Sequence, residues 1–540
     1  MVEVVYKDVA PYSKKDSAPS ATDINTSLSD ITDLKNENLT AKNYGTLERN
    51  RWRLDGTFQS IDDNPENMGW WSSQISNDSG IFESPIVLIR TFSQKHTAVG
   101  IEFVFDKFCN EYVNSLNVKW YNDDTLLFDK NYMPDTAQYY CRQNVESFNK
   151  IVVTFYSTNK PNRFLKIYGI EDGTLRTFKA NELKEVKILE EQSPISEDIS
   201  INTLNFSIDS KDDTDYIFQK RQPIEVTNDN DLLGVFYVES SERKTKSQYS
   251  ISSEDYTGIL DKVTFKGGIY DNVAVKTLID SVMLGENITY TVSDDIKDFT
   301  LSGYLPICTK REALSQILFA CGGVLNTSRI RGLQFYKLTD ETAKAVDEKQ
   351  IFSGGKIKSD NVITAVTVSY HQYEKGDTAE KIWNGLLSLG DNYIELSDII
   401  DPETAQVGSN AQIKEAGANY LIIYSATETK ATAGAKKYTD NVGTYTKANE
   451  DVVSGTAENI ITVDSATLVS PSNVKAVCDM VYNHYIHNQT LETKIVINNE
   501  RVGDKITLKT EWSGEKTGRI TKLEYDVRNK LIGNVVQKIG

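Results

Sequence analysis

The side chains best suited to chemistry are few and scattered. His484 and His487 stand at i and i+3 in "HYIH", a spacing that puts both imidazoles on roughly one helical face and can hold a metal ion if further ligands join them. The sequence nominates no third ligand, and His96 and His371 lie far away along the chain, so solvent-facing or partner-facing histidines are the plainer reading. No GxSxG elbow offers a serine nucleophile. Cys321 closes a helical run, where the dipole raises a thiol pKa rather than lowering it. The Gly turns in "SGGK" and "CGGV" lack the GxxxxGK[ST] loop that wraps phosphates. With 77 Asp and Glu residues, spacing alone cannot single out a catalytic carboxylate pair. These observations predict a protein that is not an enzyme and holds no cofactor or metal.

What remains is aromatic. "NRWRLDG" (50–56) and "NMGWWSSQISNDSG" (67–80) gather Trp52, Arg53, Asp55, Trp70, Trp71, Asn77 and Asp78. Flat rings flanked by Asp, Asn and Arg can stack on a sugar face and bond its hydroxyls. The competing reading has Trp52 and one of Trp70 and Trp71 filling a core while the polar residues form turns. Adjacent strand residues point to opposite faces, so Trp70 and Trp71 cannot share one core layer. One of them is expected to fill the interior and the other to pack on a module neighbour or a ligand.

The elements that must position these residues are mostly strands. At 540 residues the chain exceeds one core, and its length suggests roughly three to four domains. Residues 1–42 read as an extended arm and linker. Over 43–173, short alternating runs such as "AVGIEFVFD" (Val99, Ile101, Phe103, Phe105) and "NKIVVTFYS" (Ile151, Val153, Phe155) indicate an antiparallel sandwich. Residues 174–300 are again β-rich: Ile199 and Ile201 followed by Leu204, Phe206 and Ile208 change phase, which predicts a β-bulge, and "QPIEVTNDNDLLGVFYVES" reads as a hairpin. Helices are predicted at "DNVAVKTLIDSVML", ended by Gly285, and at "TKREALSQILFACGG", with a Thr309/Glu312 capping box and Gly322 as C-cap. The span 301–373 thus holds a helix and closes on the strand "NVITAVTVSYHQY". Residues 374–470 read as an irregular insertion with long loops. A third helix beginning at Pro471 or Ser472, followed by four or five alternating strands, completes 471–540.

Charge and cysteine content restrict the partners. A net charge of −18 disfavours nucleic acid, which needs a clustered basic surface. Residues 500–540 invert that balance, with nine Lys/Arg against six Asp/Glu: either a solvated sheet face or a docking surface for an acidic partner. Cys109, Cys141, Cys308, Cys321 and Cys478 form no CxxC pair, which fits synthesis in a reducing compartment without a disulfide framework. No signal-peptide core and no run of 18 apolar residues is visible, so neither secretion by that route nor a membrane segment is expected.

The stretch "YGTLERNRWRLDGTF…GWWSSQISNDSGIF…PIVLIRTF…GIEFVFD…VKWY" resembles a galactose-binding-like (discoidin-type) β-sandwich module found in tail proteins of phages and prophages of Gram-positive hosts. "INTLNFSID…FQKRQPIEVTNDNDLLGVFYVESSERKTKSQYSISSEDYTGILDKVTFKGGIYDNVAVKTLIDSVM" and the closing "VGDKITLKTEWSGEKTGRITKLEYDVRNKLIGNVV" resemble the phage tail hub (baseplate hub) family. The resemblance implies a mainly β protein with a few helices, an N-terminal jelly-roll-like sandwich and tail-tube-like β-barrel hub domains, the first over 174–300. It further implies a homotrimer in the tail of a virion or phage-like contractile injection particle, contacting the tail tube, baseplate or spike proteins and a host cell-surface glycan. The alternative is a carbohydrate-binding adhesion or receptor-binding protein, with the sandwich as its working end.

Overall fold

The computed structural model describes residues 2–9, 13–22, 31, 34, 48, 69–106, 109–209, 218, 220–229, 231–286, 288–340, 343–408, 410–453, 455–511 and 513–539. The chain is mostly β with short helices and divides into two compact units, residues 4–178 with 216–224, and residues 1–3, 179–215 and 225–540.

The first unit is built on a sheet whose strands run Ala18–Ala21, Ile81–Val104, Gln138–Thr158, Val113–Asn122, Thr125–Tyr132, with Gly169–Glu171 added beside Ile81–Val104. A second layer pairs Trp70–Ile75 with Phe164–Ile167, and both layers contribute to one core. "SPIVLIRTF" and "AVGIEFVFD" look like separate strands but belong to one strand of 24 residues. Its register with Gln138–Thr158 shifts repeatedly between Thr91 and Gly100, so bulges bend it where a break was expected. Ile101, Phe103, Phe105, Ile151, Val153 and Phe155 are all buried, as their alternation requires.

In the second unit an antiparallel path runs Asp231–Arg243, Gln248–Glu254, Thr203–Asp209, Leu183–Glu191, Gly514–Asp526, Ile532–Ile539, Gln489–Val496, Lys356–Ser359, and Lys505–Thr510 pairs with Gly514–Asp526. Leu183–Glu191 lies directly against Gly514–Asp526, so β-segments from the two ends of this unit share one sheet. The bulge expected near Ile201 is absent: the strand starts only at Thr203. Asn202 holds the preceding loop, accepting from the backbone of Glu191 and donating to Thr327, and the change of phase is the passage from loop to strand.

The helix Lys310–Cys321 carries the predicted capping box at Thr309 and Glu312 and ends at Gly322, whose φ of 71° is the left-handed conformation that glycine adopts without strain. It packs Ala313, Leu314, Ile317 and Leu318 into one core with Leu278, Ile279 and Val282 of the helix Val275–Met283. That second helix starts later than its periodicity suggested, because Val273 belongs to the strand Gly268–Ala274.

The insertion is not irregular. Ala365–Leu387 and Thr429–Ala448 pair along nearly their whole length as an antiparallel ribbon, and Ile460–Val463 adds in parallel. Gly390–Glu395, Tyr420–Ser425 and Ala411–Ala416 form a further three-stranded sheet. Thr429–Ala448 is rich in Ala, Gly and Thr, and Ala and Gly are depleted in strands, which hides it from a propensity reading. Its small side chains have a packing role, since Ala433 and Ala435 are fully buried against Leu387, Leu421 and Ile423.

Candidate functional site

The paired tryptophans sit on the short inner strand of the first unit. Gly69 leads into it at a φ of 62°, and a Cβ there would lie 1.9 Å from the carbonyl oxygen of Ile167. This close approach puts Trp70 opposite Ile167 and Trp71 opposite Lys166. Trp70 enters the sandwich core. Trp71 points the other way and is also buried, beside the ring of Phe164 at 6.2 Å and under the Lys166 ammonium, which stands 4.9 Å from its ring centroid. Trp71, expected to pack on a module neighbour or a ligand, packs on its own strand partner among the described residues.

Lys166 anchors a buried cluster of alternating charge. Its Nζ donates to Glu48 at 2.8 Å and to Glu111 at 2.6 Å, with its side chain 1% exposed. Arg163 Nε donates to the other Glu111 oxygen at 2.5 Å, and Glu48 also accepts from the Phe164 backbone at 2.9 Å. Both carboxylates are engaged by cations and shielded from water, an arrangement suited to fixing the inner strand and ill suited to proton transfer with a substrate. Sequence reasoning missed it. The signal was Lys166 itself, wedged between Leu165 and Ile167 in "RFLKIYG", where both strand faces are covered.

Of the remaining residues of the aromatic set, Asn77 and Asp78 serve a turn. The Asn77 side chain accepts from the backbones of Ser79 and Ile81, shaping the turn after the strand, and Asp78 accepts from Asn162 at 3.0 Å. Trp70 and Trp71 expose no ring surface. Trp52, Arg53 and Asp55 lie outside the described residues.

In the second unit the helix Val474–Ile486 buries Val474, Val477, Cys478 and Val481 on one face. Its other flank, with Ala476, Met480, Asn483 and His487, lines a groove of about 840 Å³ that Lys505, Arg519 and Lys538 of the closing strands also line, together with two carboxylates, Asp340, which pairs with Lys505, and Asp479, which pairs with Lys447. His484 faces the same groove; burial, the Lys538 ammonium and His487 push its pKa down to about 4, so it is neutral at pH 7. Among the described residues no three His, Cys, Asp or Glu side chains gather as metal ligands. The Cys321 thiol is raised to about 11, by burial in the first place rather than by the helix dipole. No described helix is long and apolar enough to cross a membrane.

No protein-family model matches the sequence, and no curated protein matches it. Solved structures similar to it include the prophage tail protein gp18 from Listeria monocytogenes, at 9% identity over 68% of this chain and 91% of that one, with a TM-score of 0.42. A tail protein from Neisseria meningitidis is similar at 11% identity over 68% and 93%, TM-score 0.42, and the prophage MuSo2 43 kDa tail protein from Shewanella oneidensis at 9% over 68% and 95%, TM-score 0.42. Likenesses of this size assign no function.

Proposed function

We propose that the chain is a structural, non-enzymatic tail protein of a phage or phage-like particle, acting as a homotrimeric hub between tail tube and tip. The reading rests on the residue patterns of 43–340 and 490–540 that resemble such hubs, and one observation in the fold supports it most. It concerns the closing sheet. Lys505–Thr510 buries Ile506 and Leu508 and turns Lys505, Thr507 and Lys509 the other way. Among the described residues the sheet ends at Lys356–Ser359, which pairs on one side only, with Gln489–Val496. The outer backbone groups of this edge strand lack a strand partner among the described residues, and a symmetric ring of subunits would supply one; the strand's shortness and its two lysines would restrict which chains can do so.

Light scattering of the purified chain over a concentration series tests this. A mass three times that of the chain, alone or on addition of tail-tube protein, is expected. A monomer at every concentration that also fails to join the tube protein would overturn the hub reading, and glycan binding by that monomer would move the assignment to an adhesion protein.

A further inference from the structure

The closing strands carry a row of cations. Lys505 stands directly opposite Arg519, Arg519 opposite Lys538, Lys538 opposite Thr490, and Thr490 opposite Lys358. These pairings place four positive side chains across five neighbouring strands on one face, although like charges directly opposite one another are destabilising. The ends of the row are neutralised: Lys505 pairs with Asp340 at 2.7 Å and Lys358 with Asp360 at 2.9 Å. The centre is not. Arg519 donates to the carbonyl oxygens of Gly503 and Thr339, and Lys538 rests 4.7 Å over the ring of Tyr485. Among the described residues neither has a carboxylate within ion-pair distance.

Arg519 and Lys538 line the groove, and so do apolar side chains: Ile195, Leu338, Ala476 and Met480. We propose that the groove binds an extended acidic segment of a partner protein in which acidic and apolar residues alternate. In an extended segment successive side chains point to opposite sides, so one side meets the cationic sheet and the other the apolar residues. Charge complementarity selects this occupant. A bare phosphate would leave the apolar wall unused, and a nucleic acid would meet a chain of net charge −18. The proposal rests on this groove and not on the tail reading.

The test is fluorescence anisotropy of a labelled Leu-Glu-Leu-Glu-Leu-Glu peptide titrated with the full chain. Binding is expected, with a drop in affinity of tenfold or more in the Arg519→Gln/Lys538→Gln double variant and a comparable loss on raising salt from low to high ionic strength. The Lys538→Arg variant keeps the charge and is expected to retain binding, which separates loss of charge from loss of fold. Binding by a Leu-Lys peptide of the same length, equal binding by the double variant, or preferential binding of an oligonucleotide would each overturn the proposal.

Discussion

Replacing Lys166 by Met isolates the electrostatic role of the cluster beneath Trp71. Met keeps the unbranched stem and most of its packing, so the change removes chiefly the ammonium. The Lys166 side chain is 1% exposed and holds Glu48 and Glu111, whose own side chains are 0% and 4% exposed. Its loss removes the ammonium that bridges two buried carboxylates. Removing one partner from a buried ion pair costs about 3–5 kcal/mol. With a urea m-value of about 2 kcal/mol/M for a unit of this size, the midpoint should fall by roughly 1.5–2.5 M. Trp70, Trp71 and Trp120 are all buried in this unit, so intrinsic fluorescence follows its unfolding. Lys119→Met is the matched control: its pair with Asp129 is 37% and 43% exposed, so solvent screens it and its loss should barely move the midpoint. If Lys166→Met moves the midpoint no further than Lys119→Met does, the cluster does not hold the inner strand and the reasoning fails.

Three further outcomes are expected. Gly69→Ala forces a Cβ against the Ile167 carbonyl in a left-handed conformation and should destabilise the first unit by about 2–3 kcal/mol or more in the same urea assay. Thr309→Ala removes the capping box and should cost about 1 kcal/mol, seen as faster hydrogen exchange of the amides in Lys310–Cys321. His484 has a folded pKa of about 4 against 6.5 when unperturbed, so the unfolded chain takes up its proton first as pH falls. Its contribution is therefore intact above about pH 6.5 and is lost between there and pH 4, by up to about 3 kcal/mol; urea titrations across that range should show a flatter profile in His484→Gln.

The elements legible in the sequence were those with local signatures. Thr309, Glu312 and Gly322 announced a helix and its two ends within fifteen residues, and the capping geometry follows from those side chains alone. Alternation over Ile151, Val153 and Phe155 announced a buried strand face for the same reason. What stayed hidden depends on distant partners. Thr429–Ala448 is a strand because Ala365–Leu387 lies beside it and because Ala433 and Ala435 pack among Leu and Ile side chains from other strands, neither of which Ala or Gly content reveals. The phase change at Ile201 was read as a bulge, although the loop is fixed by Asn202 bonding to Thr327, far along the chain. At the tryptophans, alternation correctly sent Trp70 and Trp71 to opposite faces, but nothing local to "GWW" says that the second face is closed by Lys166.

The two charge arrangements in this molecule are opposites, and the contrast bears on what each is for. Around Lys166 the signs alternate, Arg163 to Glu111 to Lys166 to Glu48, with each contact at hydrogen-bond distance and the side chains almost wholly removed from water. Such a set is complete in itself; an added ligand could only displace a bond already made. Across the closing strands the signs repeat, and the two central cations face a groove with carbonyls and a ring in contact and, among the described residues, carboxylates only beyond ion-pair distance. Full ion pairing was available at little distance in a chain with an excess of 18 negative charges, and Asp340 and Asp360 supply it at the ends of the row. Leaving the middle unpaired costs the isolated chain stability that one more carboxylate on a neighbouring strand would restore. An anion arriving from outside would offset that cost further, and the apolar residues lining the groove favour one that is part of a polypeptide over a free ion.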